Sequence, residues 1–179
     1  MLSSELNKLV KISIIGQPAV GKTTMMKLLS KNTIDRIYLP THGFDLKTVK
    51  FDSYTLKVWD FAGQGAYLKS CSKDHLVGSD IVFIVTDSTP RNVLRSRELI
   101  NYATHFVEKD CPIIAIANKQ DLIRNDGRME PKRVEDILQI KTYGLTAINP
   151  RERSKLMDII RKELQQILIK RRLNEIELQ

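Results

Sequence analysis

The sequence predicts an α/β fold, with one six-stranded sheet, mostly parallel with one antiparallel strand, and helices on both faces. Three observations predict it. Short runs rich in Val and Ile alternate with stretches of helical period along the chain. Two of the runs, DIVFIVTD (80–87) and PIIAIAN (112–118), are nearly unbroken in their apolar character, as strands covered on both faces are. FDLKTVKF (44–51) and YTLKVWD (54–60) are separated by a hairpin-sized turn, and this supplies the antiparallel pair.

In chain order, residues 1–7 read as frayed, and the first strand as Lys8 to Ile15. A helix over Lys22 to Ser30 follows, then a polar connection ending in Pro40, Thr41, His42 and Gly43, then the hairpin. The stretch FAGQGAYLKSCSKDHLVGSD, with two glycines and mixed polarity, reads as a loop carrying a short helix. After the strand at 80–87 comes a helix over Arg91 to Val107, with Val93, Leu94, Leu99, Ile100, Ala103 and Val107 on its inner face. The strand at 112–118 precedes a short helix from Pro131 to Leu138 and a last strand, IKTYGLTA (140–147). Asn149 or Pro150 opens a terminal helix with Leu156, Ile159, Ile160, Leu164, Ile167 and Leu168 inward. It continues past Lys170 before fraying. Right-handed crossovers gather the motif-bearing loops outside the strands' carboxyl ends.

The chain reads as one domain over residues 1–179, with a core at about 8–169 and a basic helix end or tail at 170–179. No run approaches the ~18 apolar residues of a membrane span. The first residues lack the apolar core of a secretory signal. Cys71 and Cys111 form neither metal spacing nor a disulfide framework, and they read as reduced thiols of a cytoplasmic protein. The formal net charge of +8 comes from scattered basic residues with one denser patch, Lys170, Arg171 and Arg172. Without interleaved aromatics or a recognition motif, this does not describe a nucleic-acid partner. A peripheral contact with an anionic membrane stays open.

The strongest chemical signal is Gly16 to Thr24, GQPAVGKTT, between the first strand and first helix. A polyphosphate needs several backbone N–H groups aimed at one spot, with small residues keeping side chains clear. Gly16 and Gly21 let the loop, with Gln17, Pro18, Ala19 and Val20, curl around a β-phosphate. The helix N-terminus faces the same anion. Lys22 adds a full charge for the β- and γ-phosphates, the Thr23 hydroxyl is a Mg²⁺ ligand, and Thr24 completes the loop's entry into the helix. The motif specifies a nucleoside triphosphate but not its base.

Asp60 at the end of the third strand supplies an acid for Mg²⁺, and Thr41 a hydroxyl that completes the metal shell when a γ-phosphate is present. Gly63 offers an open N–H to that phosphate, and Gln64 can orient a water for in-line attack. Alone, D-x-x-G-Q is a plain turn; downstream of a phosphate loop it gains meaning. Asn118-Lys119-Gln120-Asp121 closes the fifth strand. A carboxylate at Asp121 accepts from guanine N1–H and its exocyclic amine, a donor pair adenine lacks. The Lys119 stem covers the base plane, Asn118 braces the neighbouring loops, and Thr146-Ala147 offers a backbone N–H to guanine O6.

These residues in this order resemble the Ras superfamily of small GTPases over about residues 8–169. PTHGFDLKTV, Trp59-Asp60, GKTT and NKQD are most similar to its ADP-ribosylation-factor branch. The resemblance implies a P-loop G domain that binds GTP and GDP with Mg²⁺ and hydrolyses GTP slowly. It also implies that two loops switch effector binding, under control of exchange factors and GTPase-activating proteins. Several features depart from that branch. Ala62 stands before Gly63, Leu2 follows the initiator Met in place of a myristoylated glycine, no cysteine ends the chain, and Thr146-Ala147-Ile148 replaces S-A-K. Only about seven residues precede the first strand, too few for the branch's long N-terminal helix. Pro18, which has no N–H, sits where Gln64 must approach. It suggests slow hydrolysis dependent on a partner, and leaves a non-hydrolysing GTP-binding scaffold as the alternative.

Overall fold

The computed structural model describes residues 8–31, 44–61 and 76–177. Thr41, Gly63, Gln64, Cys71 and the frayed start read for residues 1–7 lie outside the described residues. Six strands form one sheet: β1 (Lys8–Gly16), β2 (Phe44–Phe51), β3 (Tyr54–Phe61), β4 (Ile81–Thr86), β5 (Ile113–Ala117) and β6 (Thr142–Gly144). Their spatial order is β2-β3-β1-β4-β5-β6. Only β2 runs antiparallel, pairing with β3 from Phe44↔Phe61 to Phe51↔Tyr54. The order reverses at β1, where β3 lies on one side and β4 on the other. That switch point is where an open α/β sheet leaves a crevice at its carboxyl edge.

Side-chain alternation sorts the core into two layers. Ile12 and Ile14 of β1, with Phe83 and Val85 of β4, face α1 (Lys22–Ser30) and the terminal helix. Ile15, Val82 and Ile84 face the other way, against Leu99 and Ala103 of α2 (Pro90–Thr104). Ala115 and Ala117 of β5 pack with Val93 of α2 and with Val134 and Leu138 of α4 (Pro131–Leu138). Every residue of β4 is buried, which is why that segment shows no polar face in the sequence.

Several boundaries and faces differ from expectation. The α2 helix stops at Thr104, short of Val107, and Leu94 is 54% exposed while Ser96 is buried. Ser96 returns its hydroxyl to the Asn92 carbonyl at 2.8 Å, so a polar residue occupies the inner stripe without an unmet hydrogen bond. The last strand keeps only three residues, because Leu145 donates to the Ala117 carbonyl at 2.9 Å and the chain then turns away as a loop. A 3₁₀ turn at Gln120–Leu122 and a one-turn helix, α3 (Ile123–Asp126), follow β5; one polar turn has no periodicity to detect. At the C-terminal end, Asn149 Oδ1 caps the Arg151 N–H at 3.1 Å, a 3₁₀ turn covers Pro150–Glu152, and α5 runs Arg153–Glu177. Arg171 is not a free member of the basic patch. It pairs with Asp110 at 2.9 Å and Asp80 at 3.3 Å, fastening the far end of α5 to the body.

Candidate functional site

Two described loops, after β1 and after β5, meet the end of β3 at the carboxyl edge of the sheet. The first joins β1 to α1. Gly16 closes β1 so near β4 that a Cβ there would sit 2.3 Å from the Val85 carbonyl oxygen. A side chain at this position would push the two strands apart. Gly21 takes φ +101°, and a Cβ there would lie 2.2 Å from Asn118 Nδ2. Both motif glycines are therefore required by close approach, and Gly21 by its backbone as well. The Gly21 carbonyl accepts the first helical bond, from Met25 N–H at 2.9 Å. Gln17 and Thr24 are half-buried, Pro18 and Ala19 are exposed, and Val20 is buried in the core.

Lys22 lies folded across this loop. Its ammonium donates to the carbonyls of Gly16 at 3.1 Å and Gln17 at 2.9 Å, and only 6% of the residue is exposed. Burial lowers its pKa to about 8, against a smaller opposing pull from Asp60. An anion held by this loop would return the ammonium toward its ordinary range. The loop thus buries a cation against two of its own backbone carbonyls.

Asp60 closes β3 and is fully buried. Thr23 Oγ1 donates to its Oδ2 at 2.5 Å, while Oδ1 has no hydrogen-bond partner among the described residues. Burial pushes the Asp60 carboxyl up to about 6, with the Thr23 hydrogen bond and the Lys22 charge acting against it. A buried carboxylate oxygen without a partner costs about 1–3 kcal/mol or more. A divalent cation beside Thr23 and Asp60 removes that cost, and an oxygen pair of this kind suits Mg²⁺. The residues present fit the metal.

The second loop follows β5. Asn118 is 2% exposed and uses both ends of its amide. Its Nδ2 donates to the Val20 carbonyl of the first loop at 2.9 Å. Its Oδ1 accepts from the Ala147 N–H at 2.9 Å, in the loop after β6. One side chain therefore joins the loops after β1, β5 and β6. The Ala147 N–H expected to face a purine oxygen is here directed at Asn118. Thr146 beside it is half-buried. Lys119, at φ +61°, reaches across to the Ala19 carbonyl at 2.8 Å. Asp121 is exposed at the start of the 3₁₀ turn.

A layer of support behind this loop was not anticipated. Ser88, at φ +66°, donates its hydroxyl to the Asn118 carbonyl at 2.7 Å. Gln120 Nε2 in turn donates to Ser88 Oγ at 2.8 Å and to the Met129 carbonyl at 3.2 Å. Asp87 next to it takes hydrogen bonds from Thr89 at 2.7 Å and Asn92 at 3.0 Å and pairs with Arg128 at 3.4 Å. The only sequence signal was the polar triplet Thr86-Asp87-Ser88 where the apolar run of β4 stops.

Comparison with known proteins agrees with this arrangement. The model of the ADP-ribosylation factor family matches residues 1–156. The chain is similar to an ADP-ribosylation factor of Encephalitozoon cuniculi (strain GB-M1), 26% identical over 175 residues that cover 87% of this chain and 84% of the relative. It is also similar to ADP-ribosylation factor-like protein 3 of Chlamydomonas reinhardtii, 32% identical over 117 residues, which cover 63% of this chain and 64% of that protein. With the phosphate loop, the buried acid and the Asn118 brace converging at one sheet edge, the chain belongs to the ADP-ribosylation factor family of GTP-binding switch proteins.

Proposed function

We propose that the chain binds GTP with Mg²⁺ and hydrolyses it to GDP and phosphate. In this reading, loss of the γ-phosphate releases the segments around Thr41 and Gly63–Gln64 and changes which effector proteins bind. The observation that carries this reading is the buried Asp60 oxygen, beside Thr23 and Lys22, that has no hydrogen-bond partner among the described residues. Thr23 and Asp60, with Thr41, would hold the metal, which supplies charge neutralisation between the terminal phosphates. The backbone of residues 16–21 would bind the phosphates, and Lys22 would leave its two carbonyl partners for them. Asp121 would select guanine by accepting two donors, and Lys119 would cover the ring. Gln64 would orient the attacking water. Exchange factors and GTPase-activating proteins are the expected regulators, and an arginine supplied by the latter is worth roughly 10³–10⁵-fold.

The test begins with mass analysis of the nucleotide that copurifies, followed by competition of labelled GTP with excess ATP. Guanine nucleotide and no displacement by ATP are expected. Displacement by ATP, or an Asp121→Asn variant with unchanged base preference, overturns the assignment. Single-turnover cleavage then separates an enzyme from a non-hydrolysing scaffold. Phosphate release that requires Mg²⁺ and is lost in Gln64→Leu supports hydrolysis. The Pro18 ring lies exposed on the loop, so Pro18→Gly should cleave faster; a slower variant refutes its restraining role.

A further inference from the structure

We propose that Ser88 sets the guanine discrimination of the site, by holding the turn that presents Asp121 in one backbone geometry. The inference rests on the reading of Asp121 given above. Ser88 is fully buried where β4 ends, and all of its polar groups are engaged. Its N–H donates to Thr86 Oγ1 at 3.3 Å and its hydroxyl to the Asn118 carbonyl at 2.7 Å. Its Oγ accepts from Gln120 Nε2 at 2.8 Å, and its carbonyl from the Met129 N–H at 2.7 Å. Arg128 fixes the preceding residue by donating to the Asp87 carbonyl at 2.5 Å.

The backbone of Ser88 sits at φ +66°, where glycine is unstrained and serine is not. A hydroxyl stands there in spite of that strain, and its bond to Asn118 explains why. Lys119 is also left-handed, at φ +61°. Turning over the peptide between Asn118 and Lys119 would relieve it, but would carry the Asn118 carbonyl away from Ser88 and leave it unpaired. On the far side of Lys119, Gln120 is tied by its own N–H to the Leu145 carbonyl at 3.3 Å. Its Nε2 is tied to Ser88 and to the Met129 carbonyl at 3.2 Å. Lys119 is thus clamped on both sides, and Ser88 belongs to both clamps. Asp121 follows inside the 3₁₀ turn, which the Leu122 N–H closes on the Lys119 carbonyl at 3.0 Å. A carboxylate that accepts from N1–H and the exocyclic amine together needs both oxygens in register with the purine edge. A turn free to flip loses that register, and the second bond with it. Ser88 lies behind the loop and acts on the base only through this backbone, as a positioning residue.

The test is competition of GDP and inosine diphosphate, which lacks the exocyclic amine, against a fluorescent GDP on the full chain with Mg²⁺. Wild type should favour GDP. Ser88→Gly and Ser88→Ala both remove the hydroxyl, so in both the preference for GDP over inosine diphosphate should narrow by about ten-fold. Only the glycine relieves the strain, so its urea midpoint should exceed that of the alanine variant. Gln120→Ala, at a half-buried position, should narrow the preference in the same direction. In an Asp121→Asn background, Ser88→Gly should narrow it no further, because the effect runs through that carboxylate. A wild type that favours GDP, with the same preference kept in both Ser88 variants, overturns the role of Ser88 and leaves the guanine reading standing. A preference that follows the urea midpoint rather than the hydroxyl overturns it as well, since Ser88 would then serve the fold alone. A wild type that does not favour GDP overturns the reading of Asp121 and this inference with it.

Discussion

Asn118→Ala is the sharpest perturbation of the site. The side chain is buried and makes two hydrogen bonds at 2.9 Å, one to the phosphate-loop carbonyl of Val20 and one from the N–H of Ala147. Truncation leaves both backbone groups buried without a partner, at about 1–3 kcal/mol each. A water admitted to the space beside Gly21 recovers part of this, so the expected loss is about 3 kcal/mol. With a urea slope of about 2 kcal/mol per molar, the midpoint should fall by about 1.5 M. The assay is urea unfolding at saturating GDP, paired with release of a fluorescent GDP. Because Asn118 joins the phosphate loop to the loops beside it, release should accelerate about ten-fold or more. Asn118→Asp separates the two bonds. It keeps an acceptor for Ala147 but sets a carboxylate against the Val20 carbonyl, so it should be no more stable than the alanine variant. A midpoint within error of wild type refutes the hydrogen-bond accounting. A lower midpoint with unchanged release refutes the coupling between loops.

Two further predictions concern groups outside the nucleotide contacts. Burial works to raise the Asp87 carboxyl, but hydrogen bonds from the Thr89 side chain, Asn92 and the Thr89 backbone outweigh it, and its pKa is lowered. A carboxyl depressed on folding contributes stability that is present above its unfolded pKa and is lost as pH falls through the folded value. Asp87→Asn should therefore flatten acid unfolding below about pH 4, read from stability curves taken at successive pH values; an unchanged acid limb would contradict the assignment. Burial, aided by the charges of Asp80 and Asp110, pushes the Cys111 thiol up to about 12. Peptide mapping after iodoacetamide treatment at pH 8 should find Cys111 unmodified in folded protein and modified in denaturant. Rapid labelling of the folded chain would show that the site opens locally.

How far the sequence could be read depends on the length over which each signal repeats. The core of the fold was legible because burial repeats over many residues: the unbroken apolar run of β4, the hairpin from Phe44 to Phe61, and the inner stripe of α5. The phosphate loop was legible for a different reason. A Cβ at Gly16 or Gly21 would come within 2.3 or 2.2 Å of a neighbouring atom, so those two positions have almost no freedom. What stayed hidden was single-residue geometry between segments distant in sequence. Asn118 could be expected to brace loops, but that its two amide ends would divide between Val20 and Ala147 depends on a 98-residue separation in one bond and a 29-residue separation in the other. Ser96 and Glu163 are buried where a polarity pattern places them in solvent. Each is satisfied by its own contacts, Ser96 by the Asn92 carbonyl and Glu163 by the Tyr143 hydroxyl at 2.6 Å and the Lys141 ammonium at 2.5 Å. A polar residue can enter the core whenever a specific partner meets it there, and the identity of that partner is a property of the fold rather than of the local sequence.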